Sequence, residues 1–456
     1  MIDVSRIIAS QRAFFNRGET RPATFRIEQL RKLKQAIVQN EQEIYSALQQ
    51  DLGKSDFESY ITEIGILLEE IKTVIRKLPQ WAKAKRVPTP WVHFPASSRI
   101  IPEPLGVALI IGPWNYPFQL IMGPLIGAIA AGDCAVIKPS EFSEQTSRLV
   151  ARIVKETFPE AYITVVEGES QISQALLKER FDLIFFTGSV NVGKIVMAAA
   201  ARHLTPVILE LGGKSPAIVD RDTNIRLSAR RIASGKFINA GQTCIAPDYL
   251  LVHHQIRDRM VQALQQQIEL FFGKSPAASP DYPKIINTRH FDRLVELIDS
   301  GRVIHGGKVD RDALFIEPTL IDAVSWDDAI MAEEIFGPVL PILTFETIEQ
   351  VIPAINARPK PLALYLFSNS RKTQNRITSE ISYGGGCIND TLIHLATPHL
   401  PFGGVGDSGM GNYHGKASFD GFSHHKSVLT KSFWFDNPFR YPPFKGKLKL
   451  VKKIMG

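Results

Sequence analysis

Three short segments of this chain carry residue types that can act together on a carbonyl compound. Cys244 stands in FINAGQTCIAP, where residues 225–238 have helical spacing and Ala-Gly-Gln-Thr then turns the chain. A thiol on such a loop is placed to be an exposed nucleophile, whereas a cysteine buried in a core is inert. Taken alone, a lone cysteine is more often a small core residue. Glu210 ends an apolar run in VILELGGKSP and sits at the carboxyl edge of a strand, where open α/β sheets place ligands. A carboxylate there can serve as a general base, although an isolated strand-end Glu more often faces solvent. In FFTGSVNVGK (185–194) a strand ends at Gly188-Ser189 and a helix starts through Gly193. Backbone N–H groups at a helix N-terminus suit a phosphate, but GSxxxG is not the usual GxGxxG, and a plain strand–turn–helix connection would look the same.

The elements that must hold these residues can be read from periodicity. Residues 1–85 have helical spacing with many exposed charges, as in IEQLRKLKQAIVQNEQEIYSALQQDL. Pro88, Pro90 and Pro95 mark a break, with WVHF between them expected as a strand. Apolar runs then alternate with amphipathic segments: VALII (107–111), CAVIKP (134–139), ITVVEG (163–168), LIFFTG (183–188) and VILELGG (207–213). Such runs predict a parallel sheet covered on both faces. After the cysteine, YLLVH (249–253), RVIHGG (302–307), VLPILTF (339–345) and LALYLFS (362–368) predict a second α/β unit. From about His399 the chain is Gly-, Phe- and His-rich and irregular, and no repeat is present.

Composition narrows the class. The 456 residues are 44% hydrophobic and 22% charged, with 32 Gly and 29 Pro scattered without a period, which excludes disordered and collagen-like chains. The length predicts two or three domains and room for a cleft. Net charge is +7, but five Lys and no acid lie between Lys445 and Gly456, leaving +2 for the rest. A nearly neutral body argues against a nucleic-acid binder. Cys134, Cys244 and Cys387 form no CxxC, so neither a disulfide framework nor a zinc site is expected, and a reducing, cytoplasmic compartment fits. The start of the chain lacks a signal-peptide core because Asp3, Arg6 and Arg12 interrupt it. The uncharged stretch from Leu105 to Gly132 is cut by Pro113, Pro117 and Pro124, and reads as a strand, a loop and a buried helix rather than a membrane span.

Taken together, the motifs resemble those of the aldehyde dehydrogenase superfamily. ELGGKSP, a GQTC whose cysteine lies 34 residues after the Glu, and EEIFGPVLP (333–341) come in family order. PWNYP (113–117), KPSE (138–141), FTGS (186–189) and PFGGVGDSGMGNYHG (401–415) match as well. GQTCIAPDYLL, SPDYPKIINTRHFDRL, YHGKASFDGFSHHKS and FRYPPF are similar to the class 3, or fatty aldehyde, branch, and the likeness covers essentially the whole chain.

This resemblance implies an α/β fold with a Rossmann-like cofactor domain over 1–210, interrupted near 86–100 by an oligomerisation strand, and a catalytic domain over 211–398. Residues 399–456 would form a C-terminal oligomerisation segment and basic tail. Cys244 would be the nucleophile. Asn115 would donate its amide to the oxyanion, and Glu210 would activate the water that hydrolyses a thioester. Lys138 and Glu141 resemble the pair that meets the adenosine ribose, Gly188, Ser189 and Gly193 would meet the pyrophosphate, and Trp114, Glu334 and Phe336 complete the expected cofactor contacts. Glu141 would repel a 2′-phosphate, so NAD is expected, while class 3 members often accept NADP too. No metal is expected. The expected partner is a small-molecule aldehyde that is long-chain aliphatic, aromatic or apocarotenoid, acted on by a homodimer. A CoA-acylating dehydrogenase and a non-catalytic binding protein are the rivals; Glu210 argues against the first, and the intact set Cys244, Asn115 and Glu210 against the second. In place of the hydrophobic anchor of eukaryotic relatives, the chain has KGKLKLVKKIMG, whose mixed Leu and Lys fit either a membrane-surface segment or a solvated basic tail.

Overall fold

The computed structural model describes residues 3–455, with the side chains of Ile454 and Met455 left undescribed; Met1, Ile2 and Gly456 lie outside it. Two sheets organise the chain. The first has six strands in the order Gly409–Met410, Val207–Glu210, Leu183–Thr187, Val107–Ile111, Cys134–Lys138 and Ile163–Val165. All are parallel except the 409–410 strand, which runs antiparallel to 207–210. The chain enters at the central 107–111 strand, winds outward through 134–138 and 163–165, then returns to the other side through 183–187 and 207–210. That reversal opens a crevice between the carboxyl ends of 107–111 and 183–187, where doubly wound sheets bind ligands.

Burial explains the composition of these strands. Strands 107–111, 134–138 and 183–187 are buried at every position, so they read as continuous apolar runs. The Gln119–Ala131 helix is buried along its whole length, which accounts for the long uncharged stretch. On one face, the helices Val4–Asn16, Ala23–Gln39 and Gly65–Trp81 contribute Ile7, Leu33, Ile37 and Leu67 to the core of this sheet.

The second sheet has seven strands, in the order Arg302–His305, Thr319–Asp322, Val339–Phe345, Tyr249–His253, Pro216–Val219, Ala363–Phe367 and Gly385–Ile388. Only the 302–305 strand is antiparallel. A third sheet joins Lys85–Val87, Ala96–Pro104 and Ser423–Lys431, the last two paired antiparallel from Ser423↔Pro104 to Lys431↔Ala96. The WVHF segment is not a strand: Trp91–His93 form a 3-10 turn. Proline on both sides removes ladder N–H groups and fixes φ, so an apolar run there cannot pair.

The segment after His399 does more than reach the third sheet. Its Phe402, Tyr413, Phe419 and Phe422 enter the core of the first sheet, and Phe185 stacks on Phe422 at 6.1 Å. Gly127 makes room for it, since a Cβ there would come within 3.1 Å of the Phe422 ring. Phe422→Ala is therefore expected to lower stability by about 3–5 kcal/mol, read as a fall in the denaturation midpoint; an unchanged midpoint would contradict this docking.

Candidate active site

The cysteine is presented by a backbone that bends against its preference. The helix Ile225–Phe237 ends and three successive residues turn left-handed: Asn239 at φ 51, Ala240 at φ 50 and Gly241 at φ 74. For Asn and Ala this region is costly, so the turn must be held from outside. At Gly241 a Cβ would lie 2.3 Å from the Gly337 carbonyl oxygen, which makes glycine obligatory and locks FINAGQTC against EEIFGP. Gln242 ties the turn further: its amide donates to the Asn239 and Lys284 carbonyls at 3.0 Å each and accepts from the Ile286 N–H at 3.0 Å.

Asn115 lies across the turn. Its side-chain amide donates to the Gln242 carbonyl at 3.0 Å, and its own carbonyl accepts from the Asn239 amide at 2.8 Å. Cys244 is half-buried on the wall of a cavity. Burial, then the nearby Glu334 and Glu210 carboxylates, push its thiol far above the usual range, so it rests protonated. Glu210 is 2% exposed, and neither of its oxygens has a hydrogen-bond partner. Burial alone raises it well above an ordinary carboxylate.

Glu334 reaches the same place from the second sheet's side. Its carboxylate rests on Gly212, where a Cβ would come 1.9 Å from Oε2. The Gly-Gly after Glu210 thus leaves the space that Glu334 fills. Burial pushes Glu334 up to about 8. Asp248 holds the approach by accepting from the Ile335 N–H at 2.9 Å while paired with Lys214. Phe336, at φ 53, meets Trp114 edge-on at 5.3 Å, and His290 packs on Trp114 at 4.9 Å. Burial pushes His290 down to about 4, so it is neutral.

The remaining expected residues stand at or just after the carboxyl ends of the first sheet's strands. Lys138, 2% exposed, donates to Glu141 at 3.0 Å and to the Pro139 carbonyl at 2.6 Å at the end of its strand. The Gly188 N–H donates to the Glu210 carbonyl at 3.0 Å, which sets FTGS beside ELGG. Ser189 caps the Val190–Ala201 helix, its Oγ accepting from Val192 at 3.4 Å. Gly193 sits one turn inside that helix: a Cβ there would come 2.6 Å from Leu211, so this glycine serves close packing, and the free N–H groups belong to the turn before it.

Several residues near the site are missing from the sequence reading. Residues 60–64 of the N-terminal helical region form a π-helical turn, which brings Tyr60 and Ile61 to the cavity wall. Such a turn bonds i to i+5 and rotates the face that follows, and no residue type marks it in a sequence. The same region sends in a buried ionic network. Lys54 donates to Glu63 at 2.5 Å and to the Asn115 carbonyl at 3.3 Å, and Glu63 accepts from the Phe118 and Gln119 N–H groups at 2.9 and 3.1 Å. Glu58 accepts from the Asn239 N–H at 2.9 Å, directly bracing the left-handed turn. The cavity itself has a volume of about 830 Å³; Ile66, Leu120, Phe271 and Leu392 are among its apolar walls, and Cys244 lies on it.

A thiol on the wall of an apolar cavity, with a partnerless carboxylate near it and an amide donor bonded to its turn, beside the crevice of a doubly wound sheet, defines an α/β enzyme of acyl or aldehyde chemistry. Comparison with known proteins specifies it. Residues 2–428 match the aldehyde dehydrogenase family model. The chain is 52% identical to 4,4'-diaponeurosporen-aldehyde dehydrogenase of Staphylococcus aureus, over 97% of this chain and 96% of that one. It is 47% identical to the dimeric NADP-preferring aldehyde dehydrogenase of Rattus norvegicus, over 98% and 99%. A substrate-bound structure of Staphylococcus aureus AldH superposes with a TM-score of 0.98 at 50% identity, covering 100% of both chains. The chain belongs to the aldehyde dehydrogenase family, with its likeness running to the class 3 branch. It is an NAD(P)-dependent oxidoreductase acting on aldehydes.

Glu58 offers a direct check on how the cysteine turn is held. Glu58→Ala leaves a buried N–H without a partner, at about 1–3 kcal/mol, and frees the turn, so a ten- to hundred-fold loss of kcat with a smaller change in KM is expected, roughly the loss an ångström of misplacement brings. Glu58→Gln keeps an acceptor oxygen and should rescue kcat. Burial also pushes Glu58 up to about 7 from its ordinary 4.5, against the pull of Lys54 and of the Asn239 N–H. The folded chain then keeps a proton that the unfolded chain releases, and stability falls as pH rises from about 4.5 to 7. Urea midpoints at pH 5 and pH 8 should converge in Glu58→Gln; an unaltered slope would refute the assignment.

Proposed function

We propose that this chain oxidises long apolar aldehydes to carboxylic acids, with Cys244 as nucleophile, Asn115 as oxyanion donor and Glu210 as general base. The observation that carries the reading is the partnerless, buried Glu210 beside the Cys244 cavity. A buried carboxylate with no internal partner is destabilising unless a ligand uses it, and a thioester-hydrolysing site needs such a base.

Cys244 sulfur adds to the aldehyde carbon as the thiol proton passes to water in the cavity, and the carbonyl π electrons move to oxygen as its negative charge. The Asn115 amide and the Cys244 N–H then meet that oxyanion, donors worth about 3–4 kcal/mol each. NAD(P)+, when bound, supplies the two-electron acceptor for the aldehyde hydrogen. Residues in the crevice suit such a dinucleotide: the open N–H groups behind Ser189, the buried Lys138 with Glu141, and Glu334 and Phe336 beside Trp114. Glu141 favours an unphosphorylated ribose, and so NAD over NADP. The acyl group held on Cys244 as a thioester is attacked by water whose proton passes to Glu210, and the carboxylate departs. Because Glu210 acts only when ionised and burial raises it, turnover should climb with pH well above the ordinary carboxylate range.

The apolar lining of the cavity supports a long-chain or apocarotenoid substrate, as does the named substrate of the Staphylococcus aureus relative. A homodimer is favoured by the rat relative's description as dimeric. No helix among the described residues is long and apolar enough to cross a membrane. The C-terminal segment nonetheless displays Phe433, Trp434 and Phe444 on its surface, followed by the Leu448–Met455 helix with Lys449, Lys452 and Lys453. This combination suits the surface of an anionic bilayer, so the enzyme is read as cytoplasmic with peripheral membrane contact.

Glu210→Gln should give a burst of about one NADH per site followed by a stall, whereas Cys244→Ala should give none. Steady turnover in Glu210→Gln would remove the general-base role, and turnover only with added CoA would replace hydrolysis by acyl transfer. Removing residues 432–456 should abolish sedimentation with phosphatidylserine vesicles while leaving sedimentation with neutral vesicles at background. Unchanged binding would sink the membrane reading of the tail.

A further inference from the structure

The cavity follows one helix. Leu227, Arg230, Arg231, Ser234 and Ile238, at helical spacing along Ile225–Phe237 and just past its end, all line it, and Cys244 lies on the same cavity. The helix is a ruler. Arg230 is eight residues before Ile238, about 12 Å at 1.5 Å per residue. An extended chain spans roughly 1.2 Å per bond, so about ten bonds cover that distance.

The outer part of this ruler is basic. The helix IRLSARRIASGKF holds Arg226, Arg230 and Arg231 in its first two turns and no acid. Arg231 is committed: it donates to the Asn389 carbonyl and lies 3.5 Å from Asp390, the acidic group on the same cavity wall. That pair is close to neutral. Arg226 and Arg230 are exposed and take part in no ion pair or side-chain hydrogen bond among the described residues. Arg226, in the first turn, is disfavoured by the helix dipole, while Arg230 lies beyond that turn. Neither charge is used by the fold, and Arg230 lies on the cavity wall, where it is free to meet a ligand.

We propose that the outer end of the cavity receives a second, anionic end of the substrate, with Arg230 as its receptor and Arg226 adding to the local field. The chemical class is an ω-oxo carboxylate: a long apolar chain with an aldehyde at one end and a carboxylate about ten or more bonds away. Its oxidation yields a dicarboxylate. This rests on the cavity being the aldehyde site, as read above, and adds a specificity determinant to it. Arg230 touches no reacting atom. It selects through a charge-assisted, planar contact at a solvent-facing rim.

The test compares kcat/KM for an ω-oxo carboxylate of about twelve carbons with that for the n-alkanal of equal length, at low ionic strength. A rim ion pair contributes modestly, so the wild type should prefer the carboxylated aldehyde two- to five-fold. Arg230→Gln should bring the ratio to about one, and Arg230→Glu should invert it. An ω-oxo carboxylate of about five carbons cannot reach the rim and should show no preference that depends on Arg230. Raising the salt to about 0.5 M should erode the long-chain preference. Equal kcat/KM for the two long substrates in the wild type, or a preference untouched by Arg230→Gln, would overturn the proposal while leaving apolar aldehyde oxidation standing. No turnover of either substrate would overturn both.

Discussion

The site depends on one strained turn. Asn239, Ala240 and Gly241 hold three successive left-handed conformations, and two of them carry a Cβ that disfavours it. Locally the run is tied only by the bonds between Gln242 and Asn239. It persists because separate parts of the chain over-determine it: Glu58 and Lys54 from the N-terminal helices, Asn115 from the loop after the central strand, and Gly337 from the second sheet's side. Catalytic geometry is thus assembled from regions that share no sequence neighbourhood. Asn115, the proposed oxyanion donor, is also one of the turn's supports, so the proposed nucleophile and its charge stabiliser are positioned by the same hydrogen bonds.

The electrostatics of the resting site are those of a group of acids kept neutral by burial. Cys244, Glu210 and Glu334 are all pushed upward, and desolvation is the leading cause for each. Each carboxylate would raise the thiol further if ionised, so the three groups discourage one another's charge. A site of this kind holds protons until a reaction needs them moved. It also explains why the cavity can be apolar up to the cysteine: a thiolate or ionised Glu210 at rest would demand water or counter-charge that the walls do not provide.

Much of this was legible because parallel strands buried on both faces must be continuous apolar runs. Runs 107–111, 134–139, 183–188 and 207–213 each contain the strand the structure forms, and Glu210 ends one of them. Cys244 could be placed on a turn from Gly241 and the polar residues around it. What escaped had no one-dimensional signature. The π-helical turn at Tyr60–Ile64 has no residue-type signature, so its place on the cavity wall is seen only in the fold. Lys54, Glu58 and Glu63 look like ordinary charges of a solvated helical face, and only their tertiary burial makes them structural. Gly193 packs on Leu211, a tertiary contact that its place in GSVNVG does not reveal. The 91–94 run has strand-like residues, yet its flanking prolines leave too few N–H groups for pairing.

The helix that delivers the cysteine also shapes the cavity. Its C-terminal end must be buried and close-packed: a Cβ at Gly235 would lie 2.3 Å from Thr391 Oγ1, and Lys236, Phe237 and Asn239 are all but fully buried. Its N-terminal end is free of that demand and is exposed at Arg226, Leu227 and Arg230. One helix thus runs from a rigid catalytic end to a solvent-facing end where sequence can vary without disturbing the turn. In such an arrangement, chemistry and selection are separable by position along a single axis. The inner residues set what happens to the aldehyde carbon, and the outer ones decide which chains bring that carbon there.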